Sequence, residues 1–315
     1  MNNPVLSALL PVMLLIAIGF IAGRAGWIRA EATKDLSNLV FMVLTPALLF
    51  RTMSTVQVQN LNFKPVAMYF VAAGLLFFAM YFWQGATRRA AVLGLGATFS
   101  NTLVIGTPLI GLAYGEAGLI TLFTLISVHA LVLLTMATVV LELSVAREAA
   151  ASGASTGRPM FRTILTAARN GIIHPVPLPI IVGLLFAQTG WVVPEVVDKP
   201  LQLLGNAFGP LALLLVGVTV THGRVGAQLK AALGLSLVKN LGLPAIMAGV
   251  GWAAGMSGLP LSVMIVAASL PIGANVFMFS QKYEVAQDLI TASLAVSTAI
   301  GVLTISLVMA MIGWF

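Results

Sequence analysis

The chain has no cysteine and few charges. Of its 315 residues only 8% are charged, against roughly a quarter in a soluble domain, and 59% are hydrophobic. The missing cysteines exclude a disulfide framework, an iron–sulfur centre and a thiol nucleophile, and say nothing of compartment. The missing charge excludes more. A soluble fold of this size cannot cover its surface with so little; a hydrocarbon solvent removes that requirement, so the chain reads as a membrane protein. Acidic residues are the scarcer sign, 9 against 16 Lys and Arg. The basic residues sit in short loops between apolar runs, with no stripe carrying interleaved aromatics. That pattern is a topology signal and argues against nucleic acid as a partner.

A cleavable leader is not expected either. Met1-Asn2-Asn3-Pro4 carries no positive charge, and the apolar run from Val5 to Ala22 has no small-residue cleavage site before Arg24. A retained first span is expected. Since a helix needs about 20 apolar residues to cross hydrocarbon, apolar runs predict ten spans, at 5–23, 36–54, 65–83, 90–113, 118–142, 174–190, 201–221, 231–254, 260–280 and 288–313. Loops after odd-numbered spans hold 12 Lys and Arg, the ends of even-numbered spans and the loops after them hold 3, and Lys239 lies inside a span. This split predicts both termini on the non-cytoplasmic side of a bacterial inner membrane. The longest connection, 147–173, starts with small polar residues and continues through Pro159–Arg169, a short basic amphipathic helix by its pattern. It separates two five-span halves, 1–146 and 174–315.

Helix breakers recur in both halves. Leu44-Thr45-Pro46 in the second span matches Phe208-Gly209-Pro210 in the seventh. The fourth span carries Ser100-Asn101-Thr102-Leu103-Val104-Ile105-Gly106-Thr107-Pro108, and the ninth Ser269-Leu270-Pro271-Ile272-Gly273-Ala274-Asn275. With five spans per half, equivalent helices run in opposite directions, which makes an all-α inverted repeat. Proline removes a backbone donor, and polar groups so freed are tolerated in a membrane only inside protein or beside a watery cavity. Lone prolines such as Pro46 and Pro210 read as packing kinks. The fourth and ninth spans read as a site, because their breakers come with Asn101, Thr102, Thr107, Ser269 and Asn275, neutral groups that hydrocarbon disfavours unless partnered.

At these residues the chain resembles the auxin efflux carrier family, which includes the plant PIN-FORMED auxin transporters and bacterial malonate transporters. The run Asn101-Thr102 to Gly106-Thr107-Pro108-Leu109, closing with Tyr114-Gly115-Glu116, is similar to the family's first-half signature. Ser269-Leu270-Pro271 with Phe277-Met278-Phe279 and Tyr283 is similar to the second. Leu44–Phe50, and Lys239 with Pro244, also fit the bacterial pattern. The resemblance implies a ten-helix fold akin to bile-acid sodium symporters and sodium–proton antiporters. In it spans 1, 2, 6 and 7 form a scaffold, often dimeric, and the other six a moving domain in which broken helices 4 and 9 cross, giving elevator-like transport. The long central loop of many plant members is missing, so auxin is not carried over as substrate.

If the two helices cross, their half-helix N-termini aim positive ends at one point, a place for a carboxylate. The expected substrate-binding set is Asn101, Thr102, Gly106, Thr107, Pro108, Ser269, Pro271, Gly273, Asn275 and Lys239, with no cofactor and no metal. Lys239 reads equally as a snorkelling or structural group and as a counter-charge. His129, the one histidine well inside a span, reads as a packing residue ahead of a proton relay. All nine acids fall in loops or at span ends, so neither a carboxylate proton carrier nor an acidic sodium site is evident. An intramembrane enzyme would need paired aspartates, a His-Glu-x-x-His metal site or a Ser/His arrangement, and none is present. A transporter of small organic anions is the reading, with a channel or facilitator as the alternative.

Overall fold

The computed structural model describes residues 4–56, 61–151, 177–221 and 228–312. Among them every regular element is helical, apart from one isolated bridge between Ser100 and Ile272. In chain order the elements are α1 (Pro4–Arg24), α2 (Ala30–Leu39), a π-helical segment (Val40–Leu44) leading into α3 (Thr45–Met53), α4 (Phe63–Trp83) and α5 (Arg88–Thr98). A second π segment (Thr102–Gly106) leads into α6 (Thr107–Ala151), followed by α7 (Pro177–Gln188), α8 (Glu195–Thr221) and α9 (Leu229–Leu237). A third π segment (Val238–Gly242) leads into α10 (Leu243–Ala253), and α11 (Gly258–Ser269), α12 (Asn275–Lys282) and α13 (Gln287–Ile312) complete the chain.

Six helical stretches among the described residues are long and apolar enough to cross a bilayer: Glu31–Met53, Phe63–Trp83, Thr102–Val145, Glu195–Val218, Leu229–Ala253 and Gln287–Ile312. The protein is a multi-pass membrane protein. Ten spans were expected; two of the others, at Leu14–Arg24 and Leu178–Gln188, are described over shorter apolar stretches, and the rest of the difference arises at the interruptions. α5 and α11 have 11 and 12 residues, about 17 Å each, roughly half of a hydrocarbon core. Thr102–Val145 errs the other way, since 44 residues make about 66 Å of straight helix. It is not straight. Gly115, at φ 63° and ψ −155°, leaves the helical region, a conformation that glycine reaches without a Cβ clash. The expected linker begins as helix, because α6 runs on to Ala151. The rest of it, including the amphipathic stretch Pro159–Arg169, lies outside the described residues.

Each π segment ends just before a proline: Pro46, Pro108 and Pro244. A proline lacks the N–H of the helical ladder and its ring collides with the carbonyl four residues back. One wider turn relieves both, which explains the placement. Pro210 behaves differently, sitting inside unbroken α8. The expected match of Pro46 with Pro210 therefore holds in position along the chain and not in local geometry.

α1 and α8 pack backbone to backbone. A Cβ at Gly19 would collide with the Leu214 carbonyl, and one at Gly217 with that of Ile16, so only glycine permits this approach. The innermost elements are the short ones. Every residue of α5 from Ala90 to Thr98 is buried, as is α11 from Val263 to Ser269. The interrupted helices are thus enclosed by protein, where exposed backbone groups can find partners.

Candidate functional site

α5 stops at Thr98 because the chain turns extended at Phe99 (φ −84°, ψ 105°). α11 stops likewise, with Leu270 at φ −62°, ψ 151°, the conformation favoured for a residue before proline. The two interruptions lie against each other and exchange main-chain hydrogen bonds. Asn101 N–H donates to the Pro271 carbonyl at 2.8 Å, and Gly273 N–H donates to the Phe99 carbonyl at 2.9 Å. Ser100 and Ile272 pair antiparallel between them. Each break therefore satisfies groups that the other has freed. The contact is close: a Cβ on Gly273 would lie 2.7 Å from Phe99 Cδ1 and 3.2 Å from the Ser100 carbonyl oxygen.

Lys239 completes the crossing from the third π segment. It is fully buried, and its Nζ donates to the carbonyls of Ala268 at 2.7 Å and Leu270 at 2.6 Å. These are orphan acceptors at the C-terminal end of α11. Lys239 is thus a structural contact and does not snorkel. Its neighbour Asn240 donates to the Ser297 carbonyl at 2.9 Å and to Thr304 Oγ1 at 3.1 Å, while Ser297 Oγ accepts from Ile272 N–H at 3.2 Å.

A cavity of about 230 Å³ opens beside the crossing. One wall is Phe99, Ser100, Asn101 and Thr102; the facing part is Gly273, Ala274 and Asn275. Ile126, His129 and Ala130 of α6 close a third side, and Ala212, Leu215 and Val216 of α8, with Ser37 and Val40, the fourth. Asn101 immediately precedes one helical segment and Asn275 opens another, α12. Two helix N-termini thus meet one cavity, and among the described residues no carboxylate lines it. The arrangement suits an anion.

Of the ten residues expected from the sequence, Asn101, Thr102, Gly273 and Asn275 line this cavity. Gly106 packs under Leu270, and Pro271 lends its carbonyl to Asn101 and its ring to the space beside Gly301. Pro108 faces Gly209 of α8. Ser269 Oγ donates to the Val266 carbonyl of its own helix at 2.8 Å. Thr107 Oγ1 is buried with no hydrogen-bond partner. These, with Lys239, shape the crossing from behind. Tyr69 was not foreseen: its hydroxyl lies 2.8 Å from Ser100 Oγ and 3.4 Å from His129 Nε2. The signal available was a polar tip in the middle of an aromatic-rich span, which is weak because tyrosines are common there. Among the described residues no cluster of His, Asp and Glu suits a metal ion.

A family model described as membrane transport protein matches residues 4–309. The chain belongs to this family, that of the auxin efflux carriers. It is similar to auxin efflux carrier component 8 of Arabidopsis thaliana, with 24% identity across 91% of either chain. A Rhizobium meliloti (strain 1021) protein provisionally named a malonate transporter is 26% identical, over 94% of this chain and 92% of its own. The uncharacterized transporter YfdV of Escherichia coli (strain K12) is 22% identical over 92% of this chain. This family member is accordingly a membrane transporter and not an enzyme.

Proposed function

We propose that this carrier moves small organic anions, carboxylates such as malonate or auxin-like acids, by elevator-type alternating access. One observation carries the reading: two helix N-termini, with Asn101 and Asn275, open onto a single cavity that no acid among the described residues lines. Both amides can donate to a carboxylate, replacing its hydration, and the helix ends add partial positive charge. The names of two relatives, an auxin carrier and a malonate transporter, agree with a carboxylate cargo.

The transport cycle rests on ten membrane segments in two inverted halves. In this reading 88–114 and 258–282 are each one membrane segment broken at the crossing, 116–151 is separate from what precedes Gly115, and 4–24 and 177–188 count as spans. Segments 1, 2, 6 and 7 form the scaffold; the rest form the moving domain. Both termini then lie outside the cytoplasm of a bacterial inner membrane. Tryptophans support the ends of these segments, since Trp27 and Trp83 on the basic-loop side and Trp191 and Trp252 on the other are all highly exposed, as interfacial anchors are. The scaffold also offers a dimer face, where α8 exposes Val196, Leu203 and the amide of Asn206, a group that lipid disfavours.

Proteoliposome uptake tests the reading, with malonate, indole-3-acetate and other carboxylates offered separately under a proton gradient, a sodium gradient and a membrane potential. Saturable flux of at least one carboxylate is expected. Flux that never saturates points to a facilitator, and absence of carboxylate flux under all three conditions refutes the anion reading.

A further inference from the structure

His129 is a buried titratable side chain that packing alone leaves half explained. It sits on α6 with 3% of its surface exposed and forms part of the cavity wall. Its Nε2 lies 3.4 Å from the Tyr69 hydroxyl, which lies 2.8 Å from Ser100 Oγ. The imidazole packs tilted against the rings of Phe99 and Tyr69, at centroid distances of 4.6 and 5.7 Å. Nδ1 has no hydrogen bond to any described residue. Among the described residues the polar groups on this side are Tyr69 from α4, with Ser100 of the break hydrogen-bonded to it, and Lys239 from across the crossing. None is a carboxylate, and no ion pair to His129 occurs among the described residues.

We propose that His129 carries a proton across the membrane together with the organic anion. This rests on the anion reading of the same cavity. In the empty site the imidazole is neutral; Tyr69 O–H donates to Nε2, and Ser100 O–H donates to the Tyr69 oxygen. When an anion enters, a proton from water on the loading side binds the ring. Both ring nitrogens are then donors. Nδ1–H points to the carboxylate, Nε2–H donates to the Tyr69 oxygen, and Tyr69 O–H turns to donate to Ser100 Oγ. Either direction fits the two observed oxygen and nitrogen separations. On the unloading side the anion leaves, the proton returns to water and the hydroxyls reverse. No other species is consumed.

The chemistry favours joint movement. A buried imidazolium without a counter-ion is costly, and an anion beside Nδ1 removes that cost. By linkage, whatever the anion does for the proton the proton does for the anion. Ser100 is also part of the main-chain pairing at the crossing, so the hydroxyl that reports the ring's protonation stands on the part that must move.

The test uses the full-length protein in proteoliposomes loaded with a pH-sensitive dye, with malonate and indole-3-acetate as probes. Between about pH 6.5 and 8.5, where both probes stay ionised, downhill influx is expected to acidify the lumen by about one proton per anion. His129→Gln, which keeps a polar amide in the wall, is expected to carry the probe more slowly with no accompanying proton. Tyr69→Phe, which leaves the imidazole but removes the hydroxyl chain, is expected to keep the proton and slow its release. Wild-type flux without acidification overturns the proposal and leaves the anion reading standing. Unchanged proton flux in a folded His129→Gln protein also overturns it. Absence of flux for both probes in the wild type overturns both.

Discussion

Gly273→Ala is a single methyl placed where the two interrupted helices touch. The new Cβ would stand 2.7 Å from Phe99 Cδ1, 2.9 Å from Cε1 and 3.2 Å from the Ser100 carbonyl oxygen, well inside van der Waals contact. Something must move. If the backbones separate, the Gly273–Phe99 and Asn101–Pro271 hydrogen bonds lengthen, and each buried group left unsatisfied costs about 1–3 kcal/mol. If the Phe99 ring swings aside, it turns toward the cavity it already lines and narrows it. Overpacking of this kind costs about 1–3 kcal/mol in well-packed cores, so a loss in that range is expected. Reversible denaturation in detergent micelles, followed through the five tryptophans, measures it. Phe99→Ala in the same chain removes the colliding ring, and the double variant is expected to recover about 1–3 kcal/mol relative to additivity. If the two changes add to within about 0.5 kcal/mol, the steric argument fails and the close approach at Gly273 carries no energetic weight.

Asn101→Ala and Asn275→Ala each remove an amide from a helix N-terminus, and each is expected to weaken malonate binding roughly ten- to hundredfold, the equivalent of one charge-assisted hydrogen bond. Equilibrium binding to detergent-solubilised protein reads this, and undiminished affinity in both variants would move the site elsewhere. Lys239→Met leaves the Ala268 and Leu270 carbonyls without their donor, at about 1–3 kcal/mol each. A lowered unfolding midpoint is expected, and a variant as stable as the parent contradicts the capping role. Because the chain has no cysteine, single substitutions Arg29→Cys and Lys199→Cys are clean reporters of sidedness. In intact cells an impermeant maleimide is expected to label the second and spare the first, and the reverse pattern inverts the proposed orientation.

The residues differ in how openly they announced themselves. Asn101, Thr102, Gly273 and Asn275 were legible because polar groups and breakers in an apolar run have few reasons to be there. Their pairing was not legible: the bonds at Phe99, Asn101, Pro271 and Gly273 are main-chain bonds, and main chain has no sequence. Lys239 could be seen as expensive, yet only the packing of the third π segment against α11 reveals that its Nζ meets two orphan carbonyls. Prolines misled in one respect. Pro46, Pro108 and Pro244 each follow a widened turn while Pro210 does not, because neighbouring helices decide where a displaced carbonyl can go. Tyr69 and Ser100 became visible as partners only once α4 was folded against the break.

The clasp between the two breaks has an evolutionary consequence. Bonds made by peptide groups do not depend on which side chains surround them. The walls around Asn101 and Asn275 can therefore be rewritten, at Val104, Ala130 or Ala274 for instance, without loosening the joint that holds them. A carrier built this way can change its cargo by small steps in wall size and polarity while its mechanical centre stays the same. Redirecting this protein to a bulkier or smaller acid should begin at those positions and leave 99–101 and 271–273 alone.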